Sequence, residues 1–126
     1  MPKHPAPLLT DAELQLMLIL WNLGEGSVKD ILAELPESRD MAYTTASTIV
    51  RIMEKKGFVD SRKEGRGHVY RPVLDKQEYE ARTLGHVVNT LFGNTPASLV
   101  ARLISDRKLS QEDMAEIRRL LDAQED

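Results

Sequence analysis

The chain of 126 residues contains no cysteine. This absence excludes disulfide bonds, thiolate nucleophiles and cysteine-ligated metal sites, and nothing in the composition indicates an oxidising compartment. Aromatic residues make up only 5% of the chain, and no apolar run is long enough to cross a bilayer or to resemble a secretion signal. We therefore expect a cytoplasmic protein without a membrane partner, built as one domain or as one small domain with an extension.

Signatures of enzymes are also missing from the sequence. The three histidines, His4, His68 and His86, lie far apart and show none of the paired spacings of metal motifs. There is no glycine-rich phosphate loop and no nucleophile elbow around a serine. We therefore expect no catalytic residue, no metal and no cofactor.

The charge of the chain is distributed unevenly. The formal net charge of -3 argues against a polyanionic partner when the chain is taken as a whole. Residues 44–71, however, contain 7 Lys/Arg and 3 Asp/Glu, a net charge of +4, whereas residues 1–43 carry -4 and residues 75–126 carry -3. Because a local patch sets the field that a polyanion meets, the middle of the chain is the candidate nucleic-acid surface.

The first half of the chain predicts three short helices. The segments "TDAE" and "SVKD" are capping boxes that open the first two, and Gly57 suits a left-handed C-cap for the third. Apolar residues recur at helical spacing in each of them. The predicted inward stripes are Leu14, Met17, Leu18 and Trp21, then Val28, Ile31, Leu32 and Leu35, and finally Ala46, Ile49, Val50 and Met53.

The third helix has a polar face opposite its apolar stripe. This face collects Thr44, Ser47, Thr48, Arg51 and Lys55. Hydroxyl groups can bond phosphate oxygens or base edges, and an arginine can fork onto a guanine, so the face suits a helix in a DNA major groove. The alternative is that Thr44 or the neighbouring threonine caps the helix and the other residues are solvated surface.

Two short strand candidates, "FVDSRK" and "HVYRPV", follow the third helix and are joined by "EGRG". Arg62, Lys63, Arg66 and His68 lie on or beside this glycine-containing turn. Such a hairpin could be a wing that lies along the phosphate backbone, or merely a solvated charged hairpin. The combination favours the wing, and the alternative function is a winged-helix protein-interaction module that does not bind DNA.

The remaining sequence predicts three amphipathic helices. They begin near Asp75, Thr95 and Ser110, and they form too small a unit to bury their apolar stripes well alone. We expect these stripes to meet a second copy of the chain, although they could instead pack within one subunit. The predicted dimerisation residues are Leu84, Val88, Leu91, Leu99, Val100, Leu103, Ile104, Ile117, Leu120 and Leu121.

The predicted fold is mostly α with a small β-hairpin, namely a winged helix-turn-helix domain followed by a helical dimerisation region. The winged-helix DNA-binding domain is assigned to residues 9–74 and the dimerisation region to residues 75–122. The predicted flexible ends are residues 1–8 and 123–126.

Four segments carry a resemblance to a known family; they read "LTDAELQLMLILW", "AYTTASTIVRIMEKKGFV", "EGRGHVYRPV" and "SLVARLI…LSQEDMAEIRRLL". Together they resemble the penicillinase repressor family, winged-helix transcriptional repressors of the BlaI/MecI type. The resemblance implies a homodimer that binds dyad operators in double-stranded DNA, with beta-lactam resistance genes or related stress genes as candidate targets. It places DNA contacts at Thr44, Thr45, Ser47, Thr48 and Arg51 of the third helix and at Arg66 of the wing.

One departure from the family concerns induction. In the beta-lactam-responsive members, a membrane sensor leads to cleavage of the repressor at an Asn-Phe bond, where this chain has Arg102-Leu103. An upstream sensor or protease is thus a candidate partner, but the bond that such a protease would cleave has a different sequence in this chain. The copper-responsive relatives carry C-terminal cysteines, which this chain lacks, so a regulator that answers a different signal is the remaining alternative.

Overall fold

The computed structural model describes residues 8–124. Residues 1–7 and 125–126, which are seven of the eight residues of the first predicted flexible end and two of the four residues of the second, lie outside the described residues. The elements are α1 (Asp11–Leu23), α2 (Val28–Ala33), a 3-10 turn (Glu37–Arg39), α3 (Tyr43–Lys55), β1 (Val59–Glu64), β2 (Gly67–Pro72), α4 (Lys76–Leu91), α5 (Pro96–Ser105) and α6 (Gln111–Ala123). The chain divides into two compact units, Met1–Ala81 and Arg82–Asp126.

Both predicted capping boxes of the first unit are present. The Thr10 hydroxyl accepts a hydrogen bond from the amide of Glu13, and the Glu13 carboxylate accepts one from the amide of Thr10. Ser27 and Asp30 make the same reciprocal pair at the start of α2. Each pair satisfies two backbone amides that would otherwise have no partner at the helix start.

The predicted face of α1 is wrong in part. Leu18 is 46% exposed, whereas Leu16 and Leu20 are fully buried, together with Met17. The segment is apolar on nearly every side, so periodicity could not decide which face turns inward. The stripes predicted for α2 and α3 are confirmed as core or as residues packed against it.

The hairpin is a two-stranded antiparallel sheet. Its register runs from Val59 opposite Pro72 to Glu64 opposite Gly67, which leaves Gly65 and Arg66 as the turn. Gly65 has a φ of 61°, a left-handed conformation that glycine adopts without steric cost. An isolated bridge between Gly26 and Tyr70 extends the sheet by one short segment from the α1–α2 turn.

The start of α4 belongs to the first unit. Tyr79 is buried, its hydroxyl accepts a hydrogen bond from the amide of Leu9 at 2.9 Å, and its ring lies 6.0 Å from that of Trp21. The Trp21 indole donates to the carbonyl of Leu74 at 2.8 Å. The division between the units therefore falls inside α4, after the predicted boundary at residue 74.

The described part of the second unit, residues 82–124, contains no buried residue. Four of the predicted dimerisation residues, Val88, Leu99, Leu103 and Ile117, are half-buried. The other six are exposed by between 43% and 73%: Leu84, Leu91, Val100, Ile104, Leu120 and Leu121. The helices of this unit form as the sequence predicts, but much of their apolar surface stays open to solvent.

Candidate nucleic-acid interface

The polar face of α3 is not explained by capping. The N-cap is Ala42, whose side chain makes no capping bond, and the helix begins at Tyr43. Thr44 and Thr45 therefore lie within the first turn and are exposed, so the alternative in which one of them caps the helix is wrong. The Thr48 hydroxyl donates a hydrogen bond of 2.9 Å to the carbonyl of Thr44. Thr48 is exposed, so its methyl group and the lone pairs of its oxygen remain available to a ligand.

A cleft of about 590 Å³ lies between α3 and the hairpin, which we call the wing (Val59–Pro72). It brings together four of the predicted DNA-binding residues, Ser47 and Arg51 from α3 and Arg66 and His68 from the wing. Arg51, Arg66 and His68 are all exposed. Hydroxyl and cationic groups from a helix and from the adjacent wing thus face the same space, as binding to a duplex requires.

Five further predicted residues are exposed but do not line this cleft. Lys55 lies at the end of α3, and Lys63 lies on β1 opposite His68. Thr48 lies with the two threonines of the first turn on an open surface of α3 outside the cleft. α3 therefore presents polar groups both toward the wing and away from it.

Arg62 also lies outside this cleft, and its guanidinium is paired with carboxylates. Its guanidinium donates two hydrogen bonds of 2.9 Å to the carboxylate of Glu25, in the α1–α2 turn, and lies 3.6 Å from Glu64. The hydrogen bond to Glu25 and its negative charge raise the pKa of Arg62, and the same hydrogen bond lowers the pKa of Glu25. Because successive strand residues point to opposite faces, Arg62 and Lys63 cannot serve the same side of the wing.

Sequence reasoning missed several residues that line the cleft. Tyr43 is 54% exposed, and Lys29 reaches the cleft from α2. Tyr70 is buried at its base; burial raises the pKa of its hydroxyl, the charge of Glu54 adds to this, and Arg51 opposes it. The position of Tyr43 directly before the threonines could have identified it from sequence as part of the site. Lys29 could not be identified in this way, because it reaches the cleft only through the packing of α2 beside α3.

Two other kinds of site, a membrane-spanning helix and a metal-binding cluster, are absent from residues 8–124. No helix in this range is long and apolar enough to span a membrane. Nor does this part of the chain gather three or more His, Asp or Glu residues as a metal ion would need. Four of the ten predicted DNA-binding residues line the cleft between α3 and the wing.

A helix-turn-helix followed by a basic hairpin defines a winged-helix DNA-binding domain. The model of the penicillinase repressor family matches residues 9–123. The chain belongs to this family, whose members are DNA-binding transcriptional repressors.

Named relatives extend over nearly the whole chain. The penicillinase repressor of Bacillus licheniformis is 28% identical over 116 residues, which cover 92% of this chain and 91% of the relative. The methicillin resistance regulatory protein MecI of Mammaliicoccus sciuri is 26% identical over 113 residues, which cover 90% of this chain and 92% of the relative.

Two solved structures resemble part of the chain. The solution structure of the DNA-binding domain of the repressor BlaI aligns with a TM-score of 0.52 and 32% identity, over 63% of this chain and 94% of that one. The monomeric form of Bacillus licheniformis BlaI in complex with the blaP half-operator aligns with a TM-score of 0.50 and 31% identity, over 59% of this chain and 90% of that one.

Proposed function

We propose that this protein is a sequence-specific repressor that binds a dyad operator in double-stranded DNA as a homodimer, in the cytoplasm. The observation that carries the proposal is the cleft that joins the polar face of α3 to the cationic wing. The related BlaI structure in complex with a half-operator supports a duplex as the ligand. Repression needs only occupancy of the operator, so we assign no catalytic role to any residue.

We assign the predicted DNA-binding residues two different tasks. Arg51 and the hydroxyl residues Thr44, Thr45, Ser47 and Thr48 read base edges, because these side chains can form the bonds that distinguish base pairs in the major groove. Lys55, Lys63, Arg66 and His68 hold phosphates, which supplies affinity and register but little sequence information. We exclude Arg62 from both groups, since Glu25 already occupies its guanidinium.

The DNA-binding assignment is tested by removing two cations from α3. Arg51→Ala with Lys55→Ala should weaken binding to a duplex recovered by selection from a random library and should lower its salt dependence. The matched control is Lys108→Ala with Arg118→Ala, which removes two exposed cations from the second unit. If both double variants bind the duplex like the original protein, the winged-helix protein-interaction module becomes the better explanation.

The second unit supports the proposal of a dimer, because none of the apolar side chains in residues 82–124 is fully buried within one chain. Leu91 and Leu121 are the most exposed, at 73% and 66%. Exposed apolar faces of this kind usually mark an interface. A dimer would place two winged helices on half-sites separated by about one helical turn of DNA or a multiple of it.

Leu91→Glu with Leu121→Glu tests the dimer, since it places charge on the proposed interface. We expect light scattering to give the mass of a monomer and the affinity for a dyad duplex to fall. Asn89→Glu with Ala115→Glu adds the same charge to exposed positions of the same two helices and should leave the dimer intact. An unchanged mass for the leucine variant would contradict the dimer interface and would indicate that these apolar stripes pack within one subunit.

A further inference from the structure

The strand β1 is held at two consecutive residues from opposite sides. The Ser61 hydroxyl donates a hydrogen bond of 2.8 Å to the carboxylate of Glu54, on the last turn of α3. The next residue, Arg62, binds Glu25 of the α1–α2 turn through two hydrogen bonds on the other face of the strand. We call these two pairs the wing-root contacts.

The wing-root contacts lie where the hairpin joins the rest of the first unit. Gly26, the neighbour of Glu25, exchanges backbone hydrogen bonds of 2.9 and 2.8 Å with Tyr70 of β2. Ser61 lies opposite Tyr70 in the sheet, so the backbone bridge and both side-chain pairs act at one level of the hairpin. Beyond this level the strands run to the turn that carries Arg66.

The carboxylate of Glu54 has a charge that DNA binding alone does not explain. It lines the same cleft as Arg51, Arg66 and His68, where phosphates would approach. A negative charge there repels a polyanion, so electrostatics alone predicts that its removal tightens binding. The hydrogen bond to Ser61 predicts the opposite, because that bond fixes the wing against α3.

We propose that Glu54 and Glu25 are positioning residues, which hold the wing between them so that Arg66 in its turn reaches a phosphate while α3 occupies the major groove. Neither carboxylate touches DNA; each acts through β1. This inference rests on the proposed function and adds to it the residues that set the place of the wing.

Three variants of the Glu54 pair separate positioning from electrostatics. Glu54→Ala and Ser61→Ala should each weaken binding to the selected duplex by about two- to tenfold, the range expected for one hydrogen bond. Glu54→Gln keeps an acceptor for Ser61 and should bind at least as tightly as the original protein. If Glu54→Ala tightens binding, the negative charge of Glu54 affects DNA affinity more than its hydrogen bond to Ser61 does, and the proposal is overturned.

A comparison of double variants identifies what is being positioned. In the original protein Arg66→Ala should lower affinity and the salt dependence of binding; in the Ser61→Ala background the same change should cost clearly less. Glu54→Ala combined with Ser61→Ala should be no worse than either change alone. If the losses caused by Ser61→Ala and Arg66→Ala simply add, Ser61 acts independently of Arg66, and its positioning role is refuted.

The Glu25 side is tested separately. Glu25→Ala should reduce the effect of Arg66→Ala in the same way. If instead it tightens binding and raises the salt dependence by about one phosphate contact, then Arg62 is a DNA ligand that Glu25 withholds, and the proposal fails on this side.

Two controls separate these results from other failures. Unfolding of each variant by urea reports whether the fold is intact. Glu25 and Arg66 are exposed, whereas Glu54 and Ser61 are half-buried, so this control matters most for the Glu54 and Ser61 variants. If Arg66→Ala has no effect in the original protein, the wing makes no phosphate contact and the proposed function is at fault. A normal Arg66 effect that survives unchanged in every wing-root variant overturns the positioning proposal alone.

Discussion

The ion pair between Glu13 and Lys56 connects the start of α1 to the end of α3. The two charged atoms lie 2.7 Å apart, and the side chain of Glu13 is 5% exposed whereas that of Lys56 is 38% exposed. The other carboxylate oxygen of Glu13 accepts from the amide of Thr10 in the capping box. We therefore expect substitutions at Glu13 to loosen the helix that carries the proposed base contacts.

The expected cost follows from these contacts. Glu13→Gln keeps an oxygen for the capping box but loses the charged hydrogen bond to Lys56, which is worth about 1.5–3 kcal/mol. Because Lys56 can regain water, we expect the lower part of this range, about 1.5–2 kcal/mol. Glu13→Ala also removes the cap and should cost about 1 kcal/mol more.

The effect should depend on pH in a defined direction. Burial alone would raise the pKa of Glu13, but the hydrogen bonds from Lys56 and Thr10 and the charge of Lys56 outweigh it, so the pKa lies below its ordinary value of 4.5. A carboxyl group with a lowered folded-state pKa stabilises the protein above that ordinary value and loses this contribution as pH falls through the folded pKa. The difference between the original protein and Glu13→Gln should therefore be largest near neutral pH and smaller at an acid pH below that ordinary value.

Urea unfolding of the full chain at a fixed protein concentration measures this difference. A loss of about 1.5–2 kcal/mol corresponds to a midpoint lowered by about 1 M urea. Carboxyl groups common to both proteins titrate alike and cancel in the comparison. Equal stability at neutral pH, or a deficit of the same size at both pH values, would refute the stabilising role of this pair.

Three further perturbations test other contacts. Arg66→Ala should weaken binding to all duplexes similarly and lower the slope of log affinity against log salt by about one contact, as salt titrations would report; a changed preferred sequence would contradict a phosphate contact. Arg51→Ala should cost about 1–3 kcal/mol and relax preference at one base position, which a panel of single-base variants would detect. Tyr79→Phe leaves the buried amide of Leu9 without its acceptor, and we expect about 1–3 kcal/mol of lost stability by urea unfolding; an unchanged midpoint would show that the bond contributes little.

Local signals in the sequence predicted the elements because local chemistry forms them. The capping boxes at Thr10 and Ser27 satisfy the first amides of their helices wherever those helices pack, and they are present as predicted. Gly57 has a φ of 85°, so the residue that ends α3 could also be identified from sequence. The inward face of α3 was predicted correctly since this helix, unlike α1, has one apolar side.

Contacts between distant residues could not be predicted in this way. Glu13 and Lys56 are 43 positions apart, and Glu25 and Arg62 are 37 apart, so no local pattern pairs them. Counting cations along the hairpin therefore treated Arg62 as equivalent to Arg66, although only Arg66 lines the cleft. The charge of a segment can be summed from sequence, but the charge that remains available to a ligand depends on tertiary pairing.

Selection of duplex DNA from a random library with the purified full chain tests the central claim most directly. Affinity for the recovered duplex is then measured against salt concentration. We expect an enriched dyad with a fixed spacing between half-sites, a complex that contains two chains, and a steep fall of affinity with salt. Recovery of no enriched sequence, or of an unsymmetrical site bound by one chain, would contradict a dimeric operator-binding repressor.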